Sequence, residues 1–151
     1  MSLWLFLHLL GMVLWMGGGI SALALAFASR GEARPALATV TRLQWALARN
    51  LVFPGALLTV VSGLILTMRL MNTPAMGNGF MVTMQVVGIV GALLVLTVLV
   101  PTAAKLTRLD PTGGHAAFFD RLRARQRMAG MVAAVLGLVA LVSAAIYRYG
   151  G

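Results

Sequence analysis

The chain has 151 residues, of which 60% are hydrophobic and only 10% are charged, and its mean hydropathy is +0.94. An ordinary soluble domain is about 25% charged, so this composition excludes a water-soluble globular protein and predicts one membrane domain over residues 1–151. The net charge of +9 does not indicate nucleic-acid binding, because the basic residues lie at the ends of apolar segments. Cysteine is absent, which excludes disulfides, thiolate metal sites and cysteine nucleophiles.

Four apolar segments are each long enough to cross a hydrocarbon layer about 30 Å thick. Inside lipid their backbone groups must bond within their own segment, so each segment is predicted to be an α-helix. The first segment has no Lys or Arg before it and exceeds the roughly 7–15 residues of a signal-peptide core, so we interpret it as a membrane helix. The predicted fold is therefore all-α, a polytopic four-transmembrane-helix bundle that spans the lipid bilayer at Leu3–Ala28, Leu51–Met71, Gly79–Ala104 and Met128–Tyr147.

Two of the helices are predicted to extend beyond the membrane on the same side. The second begins near Pro35, a residue suited to the first turn of a helix, and residues 36–50 form its cytoplasmic extension. The fourth follows the turn Asp110-Pro-Thr-Gly-Gly. It opens with an amphipathic segment from Phe118 to Arg127, whose arginines lie at the anionic lipid surface. The predicted helices cover about 3–28, 36–71, 79–106 and 116–148.

The connections between these helices differ sharply in charge. Ten of the twelve basic residues lie on one side of the predicted membrane: Arg30, Arg34, Arg42, Arg49, Lys105, Arg108, Arg121, Arg123, Arg125 and Arg127. Arg69 and Arg148 lie on the other side. By the positive-inside rule this asymmetry places both termini in the periplasm of a bacterium, with the protein in the inner (cell) membrane.

His8 is predicted to be a titratable side chain inside the membrane. It lies about five residues into the first helix, roughly 7–8 Å deep at 1.5 Å per residue. A polar residue at that depth faces protein or a water-filled cavity, which makes it a candidate for ligand binding or proton handling. The alternative is a hydrogen bond across helices to Gln85 or to a backbone carbonyl. Gln85, Thr67 and Ser143 lie at comparable depth and are predicted to converge with His8 in an outer pocket.

Small residues recur at intervals of three and four in the predicted helices. Gly11 and Trp15 share a helical face with His8. In the second helix Gly55, Thr59 and Gly63 follow at intervals of four. Such spacing lets membrane helices approach closely, so packing is one interpretation of Trp15 and the glycines.

Methionines form a second feature of the outer side. Imidazole and thioether sulfur suit Cu(I), a soft cation, so His8, Met12 and Met84 are candidate metal ligands. Methionine also fills apolar space, which is the alternative interpretation. The methionines concerned are Met12 and Met16 after His8, and Met68, Met71, Met76, Met81 and Met84 around the connection between helices two and three.

Several other chemistries are excluded. The three acidic residues, Glu32, Asp110 and Asp120, fall in segments predicted to be cytoplasmic. The membrane interior therefore has no carboxylate pair for acid–base catalysis and no acidic ion pathway. Gly17-Gly18-Gly19 lies inside a membrane helix, so it is not a phosphate loop.

HLLGMVLWMGG in the first helix and RLQWALARNLVFPGALLTVVSGLIL in the second resemble the opening half of a superfamily of four-helix membrane proteins. That superfamily includes the copper resistance protein D type, the HemJ-type membrane protoporphyrinogen oxidases and a bacterial integral membrane family of unknown function. The similarity covers the first two helices well and the third loosely, through VLVPTAAKL. The matching positions are His8, Trp15, Gly17, Arg42, Pro54, Thr59 and Gly63.

The resemblance implies that His8 is a haem b ligand or lies at a porphyrin or quinone site. The superfamily often has a lysine where this chain has Gln85. Its haem-oxidising members have a further histidine where this chain has Val95, Leu96 and Thr97. These departures argue against porphyrinogen oxidase activity and fit the family of unknown function better.

Three functions are compatible with these residues, and the sequence does not decide whether the protein is an enzyme. In the first, haem b or quinone binds near the outer face in a redox-linked role, with His8 as axial ligand, Trp15 on the ring and Gln85 nearby. Met12, Met84 or a second subunit then supplies the sixth ligand of the haem. In the second, His8 and the outer methionines handle copper. In the third, the chain is a non-enzymatic structural or assembly subunit that packs with another copy or a membrane partner.

Overall fold

Helices account for nearly all of residues 3–149, which are the residues that the computed structural model describes. Residues 1–2 and 150–151 of the predicted domain lie outside the described residues. Four helices are long and apolar enough to cross a membrane, and the described part of the chain contains no strand. The prediction of an all-α four-helix bundle is confirmed.

The four spans are built from six α-helices. The second span joins α2 to α3 through a π-helical segment, Ala48–Val52, and the third joins α4 to α5 through another, Val95–Leu99. Two short 3₁₀ turns, Ser29–Gly31 and Pro74–Gly77, lie in the connections. The α-helices are α1 (Leu3–Ala28), α2 (Arg34–Leu47), α3 (Phe53–Leu70), α4 (Gly79–Leu94), α5 (Val100–Leu106) and α6 (Ala116–Tyr149).

Each π-helical segment lies just before a proline, Pro54 or Pro101. Proline has no N–H, and its ring collides with the carbonyl four residues earlier in a regular α-helix. Those carbonyls belong to Asn50 and Thr97, which are inside the two π-helical segments. A wider turn relieves this collision while the helix continues, so both spans remain unbroken.

The spans are arranged around the bundle in chain order. α1 packs against α3 and α6, and α4 packs against the same two helices, so α1 and α4 lie diagonally opposite each other. The centre is filled by Trp15, Val52, Ala56, Ala92 and Val95. The outer surface carries many exposed large apolar side chains, as expected of a surface that faces lipid.

The contact between α1 and α3 is so close that the two backbones touch. A Cβ added to Gly55 would lie 2.5 Å from the backbone nitrogen of Trp15, and one added to Gly11 would lie 2.7 Å from that of Thr59. Because both partner atoms belong to backbone, neither clash can be relieved by a side-chain rotation. Glycine at both positions is therefore what allows the two helices to pack at this distance.

Ten basic residues gather at one end of the bundle, around residues 29–50 and 105–127; we call this the basic end. A second small apolar core lies there, made of Leu37 on α2, Leu106 on α5, and Phe119 and Leu122 on α6. Phe119 is fully buried. This core holds the parts of α2 and α6 at the basic end together.

Polar contacts surround this second core. Arg34 Nη2 lies 2.8 Å from Asp120 Oδ2, and its Nη1 donates to the carbonyl of Pro111 at 3.0 Å. Arg123 donates to the hydroxyl of Ser29 at 3.0 Å. Because the Arg34 and Asp120 side chains are about half exposed, this ion pair contributes roughly 0–1 kcal/mol. The apolar core is therefore the stronger link.

We expect Gly55→Ala to destabilise the protein by about 1–3 kcal/mol, the usual cost of overpacking, because the added methyl group meets the backbone of α1. Gly17→Ala is the matched control, since a Cβ there has no neighbour within 4 Å. Thermal unfolding in detergent measures both. Equal melting temperatures for the two variants would contradict the close contact of α1 and α3.

Phe119→Ala should destabilise the basic end by about 3–5 kcal/mol, because it removes a fully buried aromatic ring. Phe118→Ala, on the neighbouring and 49% exposed residue, should change stability far less. Hydrogen exchange of α2 and of the first turns of α6 checks this. Similar protection in the two variants would show that the second core does not hold this end together.

Candidate functional site

His8 lies half-buried in the seam between α1 and α3, at the end of the bundle opposite the basic end. We call this the His8 end. Its other parts are the connection over residues 71–78 and the start of α4, where the Asn78 side chain accepts hydrogen bonds from the backbone of Phe80 and Met81. The close contact of α1 and α3 thus determines what surrounds the imidazole.

One ring nitrogen of His8 is held by the backbone of α3. Nδ1 lies 2.9 Å from the carbonyl oxygen of Thr59 and 3.4 Å from the hydroxyl oxygen of Ser62. The Thr59 hydroxyl donates to the carbonyl of Gly55, and the Ser62 hydroxyl donates to that of Leu58. Because a carbonyl oxygen can only accept, Nδ1 must carry the hydrogen.

The other ring nitrogen is left with a free lone pair. In a neutral imidazole with hydrogen on Nδ1, Nε2 is the acceptor. No described residue forms a hydrogen bond with Nε2. Among the described residues the one buried side-chain N or O atom without a partner is Gln126 Oε1, so Nε2 of His8 is unpartnered but not fully enclosed. Metal-binding histidines show the same arrangement, with the second nitrogen hydrogen-bonded to a carbonyl.

Gly63 provides the room for this imidazole. A Cβ at position 63 would lie 3.0 Å from Cε1 of His8 and 3.2 Å from its Nδ1. Those distances are too short for relaxed packing, so a side chain at position 63 would push the ring away from the Thr59 carbonyl. Gly11, Gly55 and Gly63 together set the position of His8.

Two other residues predicted for the site pack against the core of the bundle. Trp15 is 7% exposed and belongs to the central core, where its ring packs over Gly91 of α4. Met12 packs against the same core and lines a small apolar cavity between α1, α4 and α6. Both side chains therefore contribute to the packing of the bundle interior.

The predicted residues on α4 form a separate contact. Gln85 donates to the hydroxyl of Thr67 on α3 at 3.1 Å, so Gln85 and Thr67 meet as expected, but as a pair of their own. Met84 is half-buried on the same helix, diagonally across the bundle from α1. Ser143 on α6 is buried. Of the two cross-helix partners considered for His8, the structure shows the backbone carbonyl and not Gln85.

The geometry fits some features of a haem or copper site and not others. Nε2 of His8 is suited to bind one metal ion, but His8 lines neither of the two cavities described in this structure. Any haem bound through Nε2 would therefore lie outside these two cavities. The described residues contain no group of three His, Asp or Glu side chains placed to hold a metal ion.

The methionines also have different environments. Met81 is 4% exposed, whereas Met68 and Met71 are 59% and 62% exposed. Met16 packs tightly over Gly137 of α6. These methionines therefore do not share one environment.

The carbonyl of Thr59 and the polar residues at the basic half, above all Gln44 and Gln126, were missed from the sequence. A backbone acceptor has no signature in residue types, so only the register of α1 on α3 reveals it. Gln44 did carry a signal, because it continues the buried face of α2 formed by Leu37, Val40 and Thr41 at intervals of three and four.

Nitrogen-15 NMR of the protein in detergent tests the orientation of His8. We expect the neutral ring to carry its hydrogen on Nδ1, with an Nε2 shift typical of an unprotonated nitrogen. His115, an exposed residue, is the internal reference. In Gly63→Val the preference for hydrogen on Nδ1 should weaken; a ring protonated on Nε2 in the parent protein would contradict the assignment.

Comparison of the chain with protein-family models, with curated proteins and with solved structures finds no match.

Proposed function

We propose that this chain is a multi-pass inner-membrane protein that binds a lipophilic redox-active ligand, a quinol or haem b, at Nε2 of His8. The observation that carries the proposal is the orientation of the imidazole, whose Nδ1 bonds the Thr59 carbonyl at 2.9 Å and whose Nε2 is unpartnered and not fully enclosed. A histidine that only fills space between helices would not need to keep one particular ring nitrogen free. The resemblance of the first two helices to the superfamily of the copper resistance protein D and HemJ types, which implies a haem, porphyrin or quinone site at His8, supports the proposal.

The tautomer restricts the chemistry of the ligand. Nε2 can accept a hydrogen bond or bind a metal ion, but it cannot donate while Nδ1 holds the hydrogen. A quinol hydroxyl is a donor and matches it, whereas the carbonyl of an oxidised quinone is an acceptor and does not. Haem iron uses the same lone pair. The site is thus expected to prefer the reduced form of a quinone.

The surroundings of His8 favour a ligand that arrives through the lipid. Leu9 on α1 and Leu64 on α3 are 49% and 55% exposed, and Phe6 is 49% exposed. Leu9 follows His8 and Leu64 follows Gly63 in the chain, so exposed apolar side chains flank the two residues in contact at this seam and suit a hydrophobic ligand. If haem b were the ligand, Nε2 of His8 would hold its iron, and a second copy of the chain could supply a further histidine.

Charge supports the proposed orientation. Ten basic residues are at the end of the bundle opposite His8, and positive residues collect on the cytoplasmic side of inner-membrane proteins. The ligand would then bind in the periplasmic leaflet.

The first test is an absorption spectrum of the purified protein, oxidised and reduced, before and after incubation with haem. His8→Asn keeps an amide N–H near the position of Nδ1 and removes Nε2, so it should fold normally and lose any Soret band. His115→Asn is the matched control at an exposed histidine and should keep it. A Soret band that survives His8→Asn would exclude His8 as the haem ligand.

The second test measures quinol binding by isothermal titration in detergent micelles. We expect a short-chain ubiquinol to bind more tightly than the matching ubiquinone, and His8→Asn to weaken quinol binding roughly three- to tenfold, the effect of one hydrogen bond. If neither haem nor quinol distinguishes His8→Asn from the parent, the proposal fails. Stoichiometric copper would then favour metal handling, and its absence a structural or assembly role.

A further inference from the structure

A larger cavity lies in the basic half of the bundle, away from His8. It is enclosed by α1, by the end of α2 and the two π-helical segments, and by α6, with Gln44, Val52, Val95, Leu99, Gln126 and Arg127 among its lining residues. The space between its walls is about 680 Å³, counting the part that is open to the outside. Its walls contain many small residues, because Gly19, Ala22 and Ala26 of α1 face Gly130, Ala133 and Ala134 of α6.

The free volume of this cavity is small. The centres of water-sized molecules can occupy about 60 Å³ of it, several times the roughly 10–15 Å³ that one water needs. That volume is too small for a porphyrin and leaves room for part of a flexible chain. Ile20, which lines the cavity, is 52% exposed, so the cavity opens on the lipid-facing surface of α1.

Polar groups at the cavity are incompletely satisfied. The buried Gln44 amide donates to the carbonyl of Ala22 at 3.0 Å. Gln126 Oε1, by contrast, is buried without any hydrogen-bond donor in the described structure. Arg127 is half-buried at the same cavity, and the ion pair found among the described residues, Arg34 with Asp120, does not involve it. The acceptor Gln126 Oε1 and the cation Arg127 thus lie beside an apolar channel without a hydrogen-bond donor or an anion in the described structure.

We propose that this cavity binds one acyl chain of an anionic phospholipid with a hydroxylated headgroup, of the phosphatidylglycerol type. The phosphate pairs with Arg127, a headgroup hydroxyl donates to Gln126 Oε1, and the acyl chain follows the small residues between α1 and α6. Basic clefts between membrane helices commonly recognise anionic headgroups in this way. The proposal is independent of the ligand at His8.

Charge excludes zwitterionic lipids as the preferred occupant. Arg121, Arg123 and Arg125 lie on the same helix as Arg127, so a zwitterionic headgroup would bring its own cation into a positive region. An anionic headgroup, whose phosphate has no cation of its own, is instead attracted by these arginines. The hydroxyl distinguishes phosphatidylglycerol from anionic lipids whose headgroup lacks a neutral donor, because only a donor satisfies Gln126 Oε1.

Quenching of Trp15, which lines the cavity, reports on occupancy. The other tryptophans are removed by Trp4→Phe and Trp45→Phe, and the protein is placed in phosphatidylcholine vesicles with increasing amounts of phosphatidylglycerol carrying brominated acyl chains. We expect saturable quenching at low mole fractions of brominated phosphatidylglycerol and weak quenching by brominated phosphatidylcholine.

Variants separate a specific site from ordinary lipid contact. Arg127→Gln should raise the phosphatidylglycerol fraction needed for half-quenching about fivefold, the effect of one arginine at a headgroup. Arg125→Gln, an exposed arginine on the same helix, is the matched control and should change it much less. Gln126→Leu should reduce the preference for phosphatidylglycerol over phosphatidylmethanol, an anionic lipid whose headgroup has no hydroxyl, and Ala133→Phe should fill the channel and remove the saturable quenching.

Two results would overturn the proposal. Equal quenching by brominated phosphatidylglycerol and phosphatidylcholine would show lipid contact without a site. Equal effects of Arg127→Gln and Arg125→Gln would show a general surface charge effect. If Ala133→Phe does not fold, the arginine pair and native mass spectrometry of retained phosphatidylglycerol decide the matter.

Discussion

The contact of the α1 and α3 backbones at Gly11 and Gly55 is the constraint on which the rest of the His8 end depends. In lipid there is no hydrophobic force between helices, so close packing must supply the attraction. Here the spacing is so short that a single methyl group on Gly55 would meet the backbone of Trp15 at 2.5 Å. At that spacing the imidazole of His8 reaches a carbonyl of the neighbouring helix. A looser seam would leave Nδ1–H without a partner in hydrocarbon, which costs several kcal/mol.

In the basic half of the bundle the backbone is shaped by two prolines. Pro54 and Pro101 force wider turns in the second and third spans, and residues of both π-helical segments line the cavity that we assign to a lipid chain. The small side chains of α1 and α6 do not fill the space that remains between the helices. Met16 and Leu23 of α1 lie against Gly137 and Gly130 of α6, so the two helices still contact each other. The cavity is therefore a consequence of local backbone chemistry together with small residues, not of poor packing throughout.

The fold was predictable from the sequence, and the site only in part. Apolar segments of membrane-spanning length can be only helices, so composition and length were sufficient to predict the bundle. His8 was identifiable because it is a polar residue inside an apolar segment. Its partner was not, because the Thr59 carbonyl is backbone and the residue type at position 59 suggested only a small packing residue. The depth of Gln85 and Thr67 predicted their proximity, but depth along a helix does not specify direction around it, and they pair with each other instead of with His8.

At both ends of the molecule, polar groups inside the bundle need hydrogen-bond partners. The amides of Gln44 and Gln85 both donate a hydrogen bond to a neighbouring span. Against that background the atoms left over are informative: Nε2 of His8 is unpartnered with a fixed lone pair, and Oε1 of Gln126 is enclosed without a donor. Leaving a buried polar atom unpaired costs about 1–3 kcal/mol, and a bound molecule that supplies the missing donor recovers that energy. Both unsatisfied atoms call for a donor or a cation, which is why a quinol hydroxyl or haem iron suits one site and a lipid hydroxyl suits the other.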